Sequence, residues 1–189
     1  GTDERMLIEL VLMANEDDWV FIKQEYFRLF KKDVVEDIQD DIAKNADWAR
    51  LLRGWIYQMR YPRGNPQADA DALYIAAKGA GTDEDTFIRI FCTSTHQEFK
   101  QIAECYVRKY QKTLRDVVIK EFSGKSEKAF LLAHDYLLDP SNGCAYIIRD
   151  SIKGAGTRDR SLINVTVLFR DRYGANINEW YKQYASLAK

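Results

Sequence analysis

Cysteine, proline and histidine are all scarce in this 189-residue chain, with three, three and two of each. Cys92, Cys105 and Cys144 stand far apart with no CxxC pair, so neither a disulfide framework nor a zinc site is expected, and the three read as buried free thiols of a reducing cytosol. His96 and His134 have no Ser, Cys or carboxylate at a telling spacing, so no enzymatic activity is expected. Each reads as a packing or surface residue. No run approaches the roughly eighteen apolar residues of a spanning helix, and Gly1-Thr2-Asp3-Glu4 is not a basic then apolar leader. Contact with a membrane is therefore expected to be peripheral. An excess of one charge is absent too, because 28 basic residues are interleaved with 29 acidic ones for a net charge of −1. That balance argues against nucleic acid as a partner.

The chain is rich in self-similarity. GTDE at Gly1, GAGTDE at Gly79 and GAGTRD at Gly154 recur, and aligning the glycine before each threonine gives steps of 80 (81 − 1) and 75 (156 − 81) residues. Apolar columns then coincide: Leu7, Phe87 and Leu162; Ile8, Ile88 and Ile163; Leu10, Ile90 and Val165; Ile22, Ile102 and Ile177; Tyr26, Tyr106 and Tyr181. Spacings such as Trp19, Ile22, Tyr26, Leu29 and Phe30 have the helical period, and strand alternation is scarce. Trp19, Trp48, Trp55 and Trp180 fall among these apolar positions, which suits core packing. Breakers divide a full copy into about five short helices, so the fold class is all-α, built of helical repeats at residues 1–66, 67–141 and 142–189. The third copy is expected to be truncated after two helices, near Arg158–Leu168 and Asn176–Leu187. Thr2, Thr82 and Thr157 are each expected to cap the helix that follows.

Ala77-Lys78-Gly79-Ala80-Gly81-Thr82-Asp83 joins two helices, and its glycines are free to take positive φ and so present carbonyl oxygens on one side. Calcium takes about six to eight oxygen ligands, and such a loop supplies oxygens without charge, so a carboxylate must come from elsewhere. Forty residues on from Gly1 stands Asp41, and forty on from Gly81 stands Glu121. The same step from Gly156 would reach position 196, past Lys189. Competing motifs fail: Gly81 is not followed by Lys-Ser/Thr as in a P-loop, a dinucleotide loop would put its third glycine at Glu84, and an EF-hand from Asp69 would put glycine at Tyr74.

The pattern Lys78-Gly79-Ala80-Gly81-Thr82-Asp83, then Ile102 to Tyr106, then Glu121-Phe122-Ser123-Gly124-Lys125, resembles the annexin repeat, protist annexins and alpha-giardins included. The resemblance covers the chain as most of a second repeat, a third, and the front half of a fourth. It implies a Ca2+ site in which Ala77, Gly79 and Gly81 give carbonyls and Glu121 the carboxylate. Ile152, Gly154 and Gly156 match the carbonyl positions of the last repeat, and Gly1 with Asp41 what remains of the first. Thr82 with Glu84, and Thr2 with Glu4, match weaker secondary positions. Lys44 to Ala46 replaces a glycine-containing turn, and Arg158 stands where Asp is usual.

Function follows as an expectation. A single carboxylate leaves the ion under-neutralised, so a phosphate of an acidic phospholipid membrane would complete its shell, with Lys78 as a direct lipid contact. Ala80 at the loop tip suggests little apolar insertion. The protein would be cytoplasmic, peripheral on the inner face of membranes. The competing reading is a calcium-independent helical scaffold that binds cytoskeletal or other protein partners. Apolar residues of the third copy, including Leu162, Ile163, Val165, Val167, Leu168, Ile177, Trp180 and Tyr184, would remain partly uncovered, so pairing of two chains into a homodimer is expected.

Overall fold

The computed structural model describes residues 2–57, 60–154 and 156–187, with side chains for all of these except 176, 177, 180 and 183–187. Among the described residues there are eleven helices and no strand: α1 Glu4–Met13, α2 Glu16–Phe30, α3 Val34–Asp41, α4 Asp47–Tyr57, α5 Pro66–Ala76, α6 Glu84–Thr93, α7 His96–Tyr110, α8 Leu114–Glu121, α9 Gly124–Leu138, α10 Pro140–Ile152 and α11 Asp159–Leu187. Counted from one Gly-Thr loop to the next, from Gly1 and from Gly81, the first two steps of the repeat thus hold five helices each.

Their ends repeat as closely as their apolar columns. Asn15 and Thr95, eighty residues apart, cap α2 and α7 by accepting the N–H of Asp18 and Glu98. Lys31 and Gln111 close the same helices in left-handed conformations with φ of 56° and 55°. The first helices are capped otherwise than expected. Asp3 accepts from Met6 N–H and Asp83 from Thr86 N–H, so the caps are the aspartates and not Thr2 and Thr82. The longer Asp side chain reaches the first turn, which frees both threonine hydroxyls for other work.

The core runs continuously through both copies. Phe87, Phe91, Phe99, Phe122 and Phe130 form an aromatic cluster, with Phe122 stacked on Phe130 at 4.1 Å between centroids. The helices interlock across the copy boundary: α5 lies on α7, and α4 on α6 and α9. At the α4–α6 contact a Cβ on Gly54 would lie 2.8 Å from Cys92 Sγ, so only glycine allows that approach. All three cysteines are free and buried, and burial pushes the Cys92 thiol up to about 12. Trp48 and Trp55 are buried, Trp19 is partly so, and the side chain of Trp180 lies outside the described residues.

The third copy departs from expectation, for α11 is one unbroken helix where two were expected. The expected break falls at Phe169-Arg170, the counterpart of Ala14-Asn15 and Ser94-Thr95. Neither Phe nor Arg is a good N-cap, and nothing there draws the chain out of the helix. The helix packs along α10 and is tied to α2 by Arg172, whose two terminal nitrogens each donate to Asp18 at 2.7 Å. Along α11, Val165 is buried while Ile163, Val167 and Leu168 are exposed; the side chains of Ile177 and Tyr184 are outside the described residues. A larger uncovered apolar surface lies on α2, which buries no residue and exposes Phe21, Phe27, Leu29 and Phe30.

Candidate metal centre

The turn between α5 and α6 is closed by three main-chain bonds, from Ala77 N–H to Leu73 O at 3.1 Å, Lys78 N–H to Ile75 O at 3.0 Å and Asp83 N–H to Ala76 O at 3.0 Å. None of them uses the carbonyl oxygens of Ala77, Gly79 or Gly81, which accept no hydrogen bond among the described residues. Oxygens left free in a turn held from both ends suit a hard cation. Gly81 has φ of 127°, a region closed to other residues, and its carbonyl lies 3.6 Å from where a Cβ on Gly79 would sit. Gly79 itself is not in the positive-φ region, so only one of the two glycines is there for its backbone freedom.

The carboxylate arrives from the end of α8. Ala77, Lys78, Gly79 and Glu121 line one cleft of about 590 Å³, and the Thr82 hydroxyl donates to Glu121 Oε2 at 2.9 Å. The Glu121 side chain is only 11% exposed. Its other oxygen, Oε1, accepts from Lys120 Nζ at 2.6 Å. That ammonium, helped by Thr82, holds the carboxyl below the usual carboxylate range, against partial burial that pushes it up. Glu121 is therefore held ionised, with Lys120 as its counter-charge. Lys78 lies beside the same cleft, its Nζ 5.7 Å from the Tyr74 ring centroid.

The other two loops are less complete. In the first copy Thr2 donates to Asp41 just as Thr82 does to Glu121, across the same 39 residues, while Gly1 lies outside the described residues. Glu4, a secondary candidate there, is ion-paired with Lys125. In the third copy Gly154 and Gly156 both take left-handed φ, 106° and 93°, and Arg158 N–H closes the loop onto Ser151 O at 2.8 Å as Asp83 does onto Ala76. Ile152 ends α10, half exposed. The Arg158 guanidinium turns back onto the Asp150 carboxylate at 3.0 Å, placing a cation beside this loop.

Among the described residues no three His, Cys, Asp or Glu side chains cluster as metal ligands, so a cation at the Gly81 loop would depend on main-chain oxygens. Both histidines have packing roles. His96 Nδ1 lies 3.0 Å from Leu137 O, and buried His134 pairs with Asp135 at 2.8 Å. Thr82 as a partner of Glu121 and Lys120 as its counter-charge emerge only in the fold, since no spacing rule in the chain marks either pair.

Residues 68–133 match the annexin family model. Annexin E1 of Giardia intestinalis is 32% identical over 190 residues, covering 97% of this chain and 56% of the relative. Among solved structures, calcium-bound alpha-14 giardin aligns with a TM-score of 0.90 at 30% identity, over 97% of this chain and 62% of that one. Chicken annexin V aligns with a TM-score of 0.86 at 26% identity, over 100% and 60%. The chain spans a little over half the length of these relatives.

Proposed function

The chain is an annexin-like protein of the kind that includes the alpha-giardins, and from that premise we propose that it binds acidic phospholipid surfaces in a calcium-dependent manner through the Gly81 loop. The observation that carries this is the lining of one cleft by Ala77, Gly79 and the ionised Glu121, which stands forty residues on from Gly81 and accepts from the neighbouring Thr82. The carbonyls of Ala77, Gly79 and Gly81 and the two carboxylate oxygens would make five ligands, short of the roughly six to eight calcium takes. When bound, the ion would offer its open positions and excess charge to a phosphate. Thr82 orients the carboxylate, the Asp83 cap holds the turn, and Lys78 is free to meet a headgroup. In this reading the protein works as a peripheral protein of the cytoplasmic face and performs no enzymatic reaction. No helix among the described residues is long and apolar enough to cross a membrane, which leaves surface attachment. Sedimentation with phosphatidylserine vesicles, with and without calcium, tests it: capture is expected only with the ion.

A second reading, a calcium-independent scaffold for cytoskeletal or other protein partners, draws on a different observation. A groove of about 990 Å³ opens between α2 and α11, walled on its apolar side by Leu10, Trp19, Phe21, Ile22, Leu168 and Phe169 and at its other side by Asp37, Asp40 and Asp41 of α3. A second copy of the chain is the partner this apolar surface best fits, since identical patches close by a two-fold arrangement.

A further inference from the structure

The cleft beside Glu121 differs from its counterpart in the first copy in one consistent direction. In that copy Tyr26 donates to Asp37 Oδ2 at 2.8 Å and Lys32 Nζ reaches Asp37 Oδ1 at 3.3 Å, so phenol, ammonium and carboxylate satisfy one another. Asp40 and Asp41 add two further negative charges to the same wall. Eighty residues on, Tyr106 and Lys112 recur, but Asp37 has become Val117 and Asp40 has become Lys120. The consequence is visible in the structure. Tyr106 is 2% exposed and lines the cleft, where its hydroxyl, unlike that of Tyr26, makes no hydrogen bond among the described residues, and Lys112, unlike Lys32, makes no ion pair there. Both line the 590 Å³ cleft together with Lys78, Lys120, Asp116 and Glu121. Asp116 is engaged with Thr113 at the cap of α8, at 2.6 Å. The cleft thus holds three lysines beside Asp116 and Glu121; Lys120 is paired with Glu121, while Lys78 and Lys112 have no ion pair among the described residues and the Tyr106 hydroxyl has no hydrogen-bond partner there.

From this we propose that the cleft holds a phosphomonoester group of a phosphorylated inositol headgroup. Such a group carries roughly 1.5 to 2 negative charges and three strong acceptor oxygens, which suits two unpaired lysines and one neutral donor better than the single charge of a phosphodiester does. The phenol is suited to donate, since burial pushes its pKa up to about 12 and keeps the proton in place. A cleft of about 590 Å³ has room for the ring as well as the phosphate. The inference rests on the reading above in one respect, that this face meets a membrane.

The experiment is sedimentation of the whole chain in the presence of a chelator, so that no calcium contributes. Phosphatidylcholine vesicles carrying phosphatidylinositol bisphosphate are compared with vesicles carrying phosphatidylserine at equal surface charge. Capture is expected only by the first. Lys112→Ala should weaken it roughly tenfold, as loss of one charge-assisted hydrogen bond does, and Tyr106→Phe by a few fold, with circular dichroism confirming the fold of each. Soluble inositol trisphosphate should displace the protein; its binding to the protein by calorimetry without vesicle capture would assign the same chemistry to a free phosphate. Equal capture by both vesicles, or unchanged binding in folded Lys112→Ala, would overturn the proposal. Glu121→Gln separates the two readings, because it should lose calcium-dependent capture by phosphatidylserine and retain this one.

Discussion

Thr82 donates its hydroxyl to Glu121 at 2.9 Å, and Thr2 donates to Asp41 across the same 39 residues. The threonine is thereby the link between a loop of carbonyls and a carboxylate on another helix. Thr82→Val keeps the shape of the side chain and removes the donor. A hydrogen bond of this kind is worth about 0.5–1.5 kcal/mol, so the midpoint calcium concentration for vesicle binding should rise by a few fold, with the melting temperature little changed. An unaltered midpoint would show that Glu121 needs no such tether.

The two glycines of the loop are not equivalent. With φ of 127°, Gly81 occupies a conformation that costs an L-residue about 1–3 kcal/mol, whereas a Cβ on Gly79 meets its nearest neighbour, Gly81 O, at an ordinary 3.6 Å. Gly81→Ala should weaken calcium-dependent binding by about tenfold or more and Gly79→Ala should leave it near wild type. Titration of vesicle binding with calcium checks the pair, and the reverse order would contradict the geometry.

Asp18 ties α2 to α11. The Arg172 guanidinium lowers its pKa, opposed by burial and aided by the Asn15 N–H. Because the folded pKa is depressed, the stability this group contributes is present above the ordinary carboxylate range and is lost as pH falls through the lowered value. Asp18→Asn should destabilise by about 1 kcal/mol or less at neutral pH, the pair being partly exposed, and the gap from wild type should close in acid. Urea melts at several pH values would show it; a gap independent of pH would assign the effect to packing.

Phe21 on α2 is 70% exposed and Leu168 on α11 is 53% exposed, both lining the groove of about 990 Å³. Covering such surface is worth about 25 cal/mol per Å². Light scattering over micromolar concentrations should therefore detect a dimer of the 22.0 kDa chain, and Phe21→Ser should shift it towards monomer. A single 22.0 kDa species throughout would rule out pairing.

The helices of the first two copies were legible because each break carries its own chemistry: Asn15 and Thr95 as caps, Lys31 and Gln111 as left-handed ends. That Glu121 lies next to the Gly81 loop, where it accepts from Thr82, was legible from the repeat spacing. The unbroken α11 was not, because the apolar columns carried the expected break into the third copy while Phe169 and Arg170 lack any capping group. The aspartate caps were hidden by threonines next to them that are equally good caps in isolation; only the fold shows that Asp41 and Glu121 claim those hydroxyls. The change from Asp37 to Val117 stood in the same alignment, but its meaning depends on Tyr106 and Lys112 facing one cleft, which is a property of three dimensions.

The central claim is that one carboxylate, Glu121, completes the calcium site that attaches the chain to membranes. Sedimentation of Glu121→Gln and Asp41→Asn with phosphatidylserine vesicles, across a calcium titration, tests it most directly. The account predicts that Glu121→Gln abolishes calcium-dependent capture while the helical circular dichroism is kept, and that Asp41→Asn changes it little. Capture of Glu121→Gln equal to wild type would contradict it.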